Sequence, residues 1–119
     1  MDDTLKVSDA EAAKVAVAPR VTLDDLEGSI ASEHYIRANE AVTTSQGDAH
    51  GDTTEDALAC LTLCVLVTKS GFTVTGESAR ASPANFNAEL GRKFARGQAI
   101  RKLWAFEGFA LRKRLAEAA

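Results

Sequence analysis

Residues 58–68, LACLTLCVLVT, constrain the fold more than any other segment. Leu61, Leu63, Val65 and Val67 alternate with Thr62, Cys64 and Leu66, the period-two pattern of a β-strand. Both sides of that strand are largely apolar, so both should be covered. Lys69-Ser70-Gly71 reads as a turn, with Gly71 free to take positive φ. Phe72-Thr73-Val74-Thr75 returns as a second strand, with Phe72 and Val74 inward and the threonines outward. An isolated two-stranded sheet is marginal in water, so helices or further copies must shelter it.

Helical patterns flank the hairpin. Thr22 can cap a first helix, with Asp24 and Asp25 at its positive end and Val21 and Leu26 as a hydrophobic staple. Leu23, Leu26, Ile30, His34, Ala38 and Ala41 then fall at helical spacing, broadened by Tyr35 and Ile36, and predict a helix ending near Val42. Residues 43–57 are rich in Gly, Ser, Thr and Asp and read as a flexible loop. Residues 1–20 read as a flexible tail holding at most a short helix before Pro19. On the other side, Gly76-Glu77-Ser78 leaves the strand and Ser82-Pro83 opens a long last helix. Phe86, Leu90, Lys93, Ile100, Trp104 and Leu111 share one face of it, widened by Ala95, Ala99, Leu103, Phe106 and Ala110. Glu89 and Lys93 are placed for an i,i+4 ion pair, and Gly108 should bend or fray the helix.

The expected fold is α+β: helix, antiparallel β-hairpin, long C-terminal helix, with residues 21–119 as one domain. One helix covers one face of a hairpin. Each large strand side chain left wet forfeits about 1.5–3 kcal/mol. Self-association, as a homodimer or higher oligomer, is the simplest remedy, with Tyr35, Leu63, Val65 and Phe72 at the interface.

Composition narrows the function. No apolar run approaches the ~18 residues that span a bilayer, and Met1-Asp2-Asp3-Thr4 is too acidic for a signal peptide, which predicts a cytoplasmic protein. Cys60 and Cys64, four apart in a strand, would sit roughly 13 Å apart, too far for a disulfide. They read as reduced core residues and make no zinc site. Residues 1–57 hold thirteen acids and four bases, a net of −9; residues 80–119 hold three acids and nine bases, a net of +6. The acidic half disfavours nucleic acid as a partner; the basic half suits an anion, an acidic partner or a second copy.

Candidate chemistry is sparse. Ser78 with His34 lacks the nucleophile-elbow signature, and Asp48, His50 and Asp52 match no metal spacing, so neither catalysis nor a cofactor is expected. Glu107 beside Trp104, on an apolar helix face, needs a partner such as Arg101 or a backbone amide. Otherwise Glu77, Asn85, Trp104 and Glu107 would line a pocket for a polar ligand or partner side chain. Free amides from Ser78 to Ser82, with Arg80 close by, suit a phosphate or carboxylate.

Motifs from Cys64 to Leu111 carry a resemblance: Ser70-Gly71-Phe72, Val74-Thr75-Gly76-Glu77-Ser78, Ser82-Pro83-Ala84-Asn85-Phe86-Asn87, Glu89-Leu90-Gly91, Ala95, Ala99 and Trp104-Ala105-Phe106-Glu107-Gly108-Phe109. Thr22-Leu23-Asp24-Asp25 and Ser32-Glu33-His34-Tyr35 extend it to roughly residues 20–115. The chain resembles the small tailed-phage proteins grouped as the gene product forty-nine / gene sixty-six family, named from phages N-four and Sf-six. It departs from their pattern at Asn87, where an acid is expected, at Phe109, where a tyrosine is, and at Arg80, where a small residue or cysteine is. The resemblance implies a phage or prophage origin and carries no established activity with it. The function expected is therefore a non-catalytic phage accessory protein that binds and modulates a host protein in counter-defence. A protein binding a small molecule or nucleotide, or one associated with nucleic acid, is the alternative.

Overall fold

The structure, a computed structural model, describes residues 3–15, 18–47 and 51–119. Met1, Asp2, Asp48 and His50 lie outside the described residues. A helix α1 (Asp3–Val15) stands in place of the expected tail with at most a short helix; its Leu5 is buried in the core. Helix α2 (Leu23–Ser29) begins as predicted. Thr22 Oγ1 accepts from the Asp25 amide at 3.0 Å, and Asp25 Oδ2 accepts from the Thr22 amide at 2.9 Å, a reciprocal capping box.

The predicted first helix then fails. Residues Ile30–Arg37 are strand β1, followed by helix α3 (Ala38–Gln46), and the expected loop holds the end of α3 and helix α4 (Asp52–Ala59). The reason is tertiary. Ile30, His34 and Ala38 share a helical spacing, but Glu33, Tyr35 and Arg37 also alternate with Ser32, His34 and Ile36. Pairing with β2 (Leu61–Thr68) makes the second pattern the better one: β1 runs antiparallel to it from Arg37 opposite Thr62 to Ile30 opposite Thr68. Strand β3 (Thr73–Ala79) pairs with the other edge of β2, giving the order β1-β2-β3. The fold is α+β, as expected, with three strands rather than two. With a third strand, the sheet no longer requires a second copy to complete it.

Burial alternates strictly along β2, where Thr62, Cys64, Leu66 and Thr68 are buried and Leu61, Leu63, Val65 and Val67 only half so. In β3, Val74 and Gly76 are buried while Thr73, Thr75 and Glu77 are exposed. One face of the sheet is therefore covered and the other left open, contrary to the expectation that both would be covered. Phe72, predicted to point inward, is 52% exposed and meets Phe106 edge to face at 5.4 Å. The turn itself matches the sequence pattern: Gly71 has φ 86°, and its amide donates to the Thr68 carbonyl at 2.9 Å.

The cover is α5 (Ala88–Ala118), a helix of 31 residues. It starts later than predicted. Ser82 Oγ accepts from the Ala84 amide at 3.3 Å, opening only a 3-10 turn (Pro83–Asn85); Asn87 caps the helix, accepting from the Leu90 amide at 3.0 Å. It is neither broken nor ended at Gly108. The Glu89–Lys93 pair forms at 3.4 Å. Strand β3 does not end at Gly76, because that glycine lets α5 come close: a β-carbon there would lie 2.1 Å from the Ala95 carbonyl oxygen. Leu26, Cys64, Leu66, Val74, Ala95, Ala99, Ile100 and Leu103 fill the space between, with Trp104 and Tyr35 at its edge. Arg96 ties the layers together, reaching Glu27 of α2 at 2.9 Å and Glu33 of β1 at 3.0 Å. Cys60, placed at the end of α4 rather than in the strand, and Cys64 are both buried and unbridged.

Candidate functional site

Where β1 leaves the sheet, Arg37 faces Thr62 across the β1–β2 ladder on the side covered by α5. The 3-10 turn and the Asn87 cap bring Phe86 over that corner, and the first turns of α5 add Arg92. A cavity of about 210 Å³ results, lined by these four residues together with Tyr35, Glu40 and two smaller contributors.

The polar groups around it are under-used. The Arg37 guanidinium lies over the Phe86 ring, 4.3 Å from its centroid. One of its terminal nitrogens donates to the Ala59 carbonyl at 3.2 Å, and the other sits 3.8 Å from Glu40. Its Nε is buried with no partner. Thr62 is 2% exposed, and its Oγ1 also has no partner. Arg92 makes no hydrogen bond or ion pair among the described residues. A buried polar group left without a partner costs about 1–3 kcal/mol. Two such buried donors, with the exposed guanidinium of Arg92 also lining the cavity, suit an anion, the ligand that arginine forks and a hydroxyl hold best.

The cavity is poorly equipped for chemistry. The Tyr35 hydroxyl donates to Glu33 at 3.1 Å, and burial, reinforced by that carboxylate, pushes its pKa up to about 12. The neighbouring Cys64 thiol is likewise pushed up, chiefly by burial. His34 Nε2 contacts Ser32 Oγ at 3.0 Å on the open face of β1, whereas Ser78 lies opposite Thr62 on the covered face of β3, so no triad assembles. Among the described residues no cluster of three or more metal-ligating side chains forms, and Asp52 stands at the start of α4. No described helix is long and apolar enough to cross a membrane.

The residues singled out from the sequence do not converge. Glu77 is exposed and pairs with Lys102 at 3.7 Å. Trp104 Nε1 donates to the Val21 carbonyl at 3.1 Å, fastening α5 to the segment before α2. Glu107 is half-buried and has no hydrogen bond or ion pair among the described residues. Asn85 is exposed in the 3-10 turn, and Ser82 caps it. Arg80 lies over Phe94 at 5.1 Å and lines a second cleft, of about 330 Å³, with Cys60 and Asp56. Of the expected interface residues, Leu63 and Val65 lie on the open face, Tyr35 on the covered one, and Phe72 at the hairpin end. Sequence reasoning misses Arg37, Thr62 and Arg92 as a group, because helical spacing claims the segment that holds Arg37. One signal points the other way: Glu33, Tyr35 and Arg37 alternate as one face of a strand.

A family model described as Phage protein (N4 Gp49/phage Sf6 gene 66) family matches residues 21–115. No curated protein and no solved structure matches the chain.

Proposed function

Because this chain belongs to the N4 Gp49/phage Sf6 gene 66 family of phage proteins, we propose that it is an accessory protein that binds and retains a small anionic molecule without converting it. The observation that carries the reading is the pair of buried donors without partners, Arg37 Nε and Thr62 Oγ1, around one cavity that the exposed Arg92 also lines. The ligand carries a phosphate or carboxylate, and Glu40 at the rim is an acceptor for a ligand hydroxyl or amine. At about 210 Å³ the cavity takes a fragment the size of a sugar phosphate rather than a polymer.

Titration calorimetry against inorganic phosphate, mononucleotides, dinucleotides and dicarboxylates tests it. At least one should bind, Arg92→Ala and Arg37→Met should each weaken it roughly tenfold or more, and the ligand should be recovered with unchanged mass. No binding by any of these anions, or equal binding by both variants, would refute the reading. Modulation of a host protein would need a surface rather than a cavity, and the aromatic end of α5 is the candidate for that.

A further inference from the structure

Among the described residues, the buried side-chain polar atoms without a partner are Arg37 Nε, Asn39 Oδ1, Thr62 Oγ1 and Arg80 Nε. Their residues all stand at one end of the sheet: Arg37 closes β1, Asn39 is the second residue of α3, Thr62 the second of β2, and Arg80 directly follows β3. Arg37 and Thr62 belong to the cavity already described. Arg80 does not; it lines the second cleft, of about 330 Å³, with Asp56, Ala57, Cys60, Ala79 and Ala81. The backbone puts it there. The Arg80 amide donates to the Cys60 carbonyl at 3.1 Å, which carries the β2–β3 ladder past the pair Leu61–Ala79. Alternation then sends the side chain to the face of Gly76 and Ser78, the one that α5 covers. There the guanidinium lies over the Phe94 ring, 5.1 Å from its centroid. It makes no hydrogen bond or ion pair among the described residues, so its donor fork is unused. Ala57, Ala79 and Ala81 add only methyl groups to the wall, leaving room beside the fork. Asp56, exposed and without an ion pair among the described residues, supplies a carboxylate.

We propose that the Arg80 cleft is a second binding site, for a small anion that also carries a hydroxyl or an amine. The edge of a guanidinium formed by Nε and a terminal nitrogen presents two parallel donors, which match two oxygens of a carboxylate or phosphate. The Phe94 ring fixes the plane of that fork. Asp56 accepts from the ligand's hydroxyl or amine. An anion without such a donor is the weaker ligand, because Asp56 then only repels it. The site repeats the first one in kind: there too an arginine with a buried, unpartnered Nε lies on a phenylalanine, Arg37 on Phe86, with an acid, Glu40, at the rim. The two share no lining residue, so the Arg80 site needs neither Arg37, Thr62 nor Arg92 and goes beyond the function proposed for the first cavity.

Two-dimensional NMR titration of the backbone amides tests this, with malate as the carboxylate probe and ribose 5-phosphate as the phosphate probe. At least one should shift the amides of Ala79, Arg80 and Ala81 saturably, in the wild-type chain and equally in Arg37→Met. Succinate and inorganic phosphate, which lack an alcohol, should bind there more weakly than their counterparts, and Asp56→Asn should narrow that difference. Arg80→Met should weaken binding roughly tenfold or more while leaving the melting temperature unchanged, since the guanidinium holds no other polar group in place. Arg80→Lys, which keeps the charge and loses the fork, should fall between and guards against a folding defect in the first variant. Absence of saturable shifts at these amides with both probes would overturn the proposal. So would shifts that persist undiminished in Arg80→Met, or that vanish in Arg37→Met, which would assign the binding to the first cavity. Alcohol-free anions that bind as tightly as their counterparts would overturn the part given to Asp56.

Discussion

Thr62 shows how a single residue can set stability against binding. Its hydroxyl is buried beside the cavity without a partner, so replacing it by a methyl group of similar size removes a desolvated polar atom at little cost in packing. Thr62→Val should raise the unfolding free energy by about 1 kcal/mol in urea denaturation while lowering ligand affinity in the same preparation. A stability loss, or unchanged binding, would mean the hydroxyl has another role. Gly76 makes the contrary point. A β-carbon at this position would lie 2.1 Å from the Ala95 carbonyl oxygen and 2.5 Å from the Ala99 nitrogen, so only backbone could move aside. Gly76→Ala should cost about 3 kcal/mol or more by the same measurement. Gly91 stands between the two cases, since a β-carbon there would sit 2.9 Å from Thr62 Oγ1, at the edge of the cavity. From the sequence Gly76 reads as the point where the strand ends; only the fold shows it inside β3 with a helix backbone packed against it.

At the scale of elements, α5 runs on where its glycines suggest a break. Gly108 lies within it with open space around its α-carbon. Gly108→Ala should therefore stabilise the chain by about 0.5–1 kcal/mol, seen as a raised denaturation midpoint, because alanine loses less freedom on entering a helix. A fall would show that the glycine is needed for a contact made by another molecule. At α2, Thr22→Ala should lose about 1 kcal/mol through the capping box. That cap is legible because it needs four consecutive residues. Strand β1 is not, because both periods fit its eight residues and only the ladder with β2 chooses between them.

Across the whole molecule, three elements are joined near Tyr35, where Arg96, Glu27 and Glu33 link α5, α2 and β1. The Tyr35 phenol ionises at about 12 in the fold and near 10 when unfolded. Its neutral form is therefore favoured by the native state. The associated stability is fully present below pH 10 and is lost as pH rises toward 12. Cys64, also raised, acts in the same direction. Urea denaturation across that alkaline range should show a decline that Tyr35→Phe makes shallower; an unchanged slope would place the loss elsewhere. On the acid side, the Arg20 hydrogen bond holds the Asp9 carboxyl below its ordinary 3.8. The stability it contributes is present above that value and is lost as pH falls through the lowered one.

What the amino-acid order determined unaided is what neighbouring residues decide among themselves: the apolar alternation of β2, the glycine turn after it, the Thr22 cap, the Glu89–Lys93 pair and membership of a phage family. Each depends on spacings of a few residues, within which side-chain geometry is nearly predetermined. Only the tertiary structure decided that residues 30–37 are a strand, that one face of the sheet is left open, and that Arg37, Thr62 and Arg92 meet at one cavity. Those outcomes depend on which backbone groups find partners far along the chain. Burial and hydrogen bonding across such separations outweigh the small differences in local preference that a sequence displays.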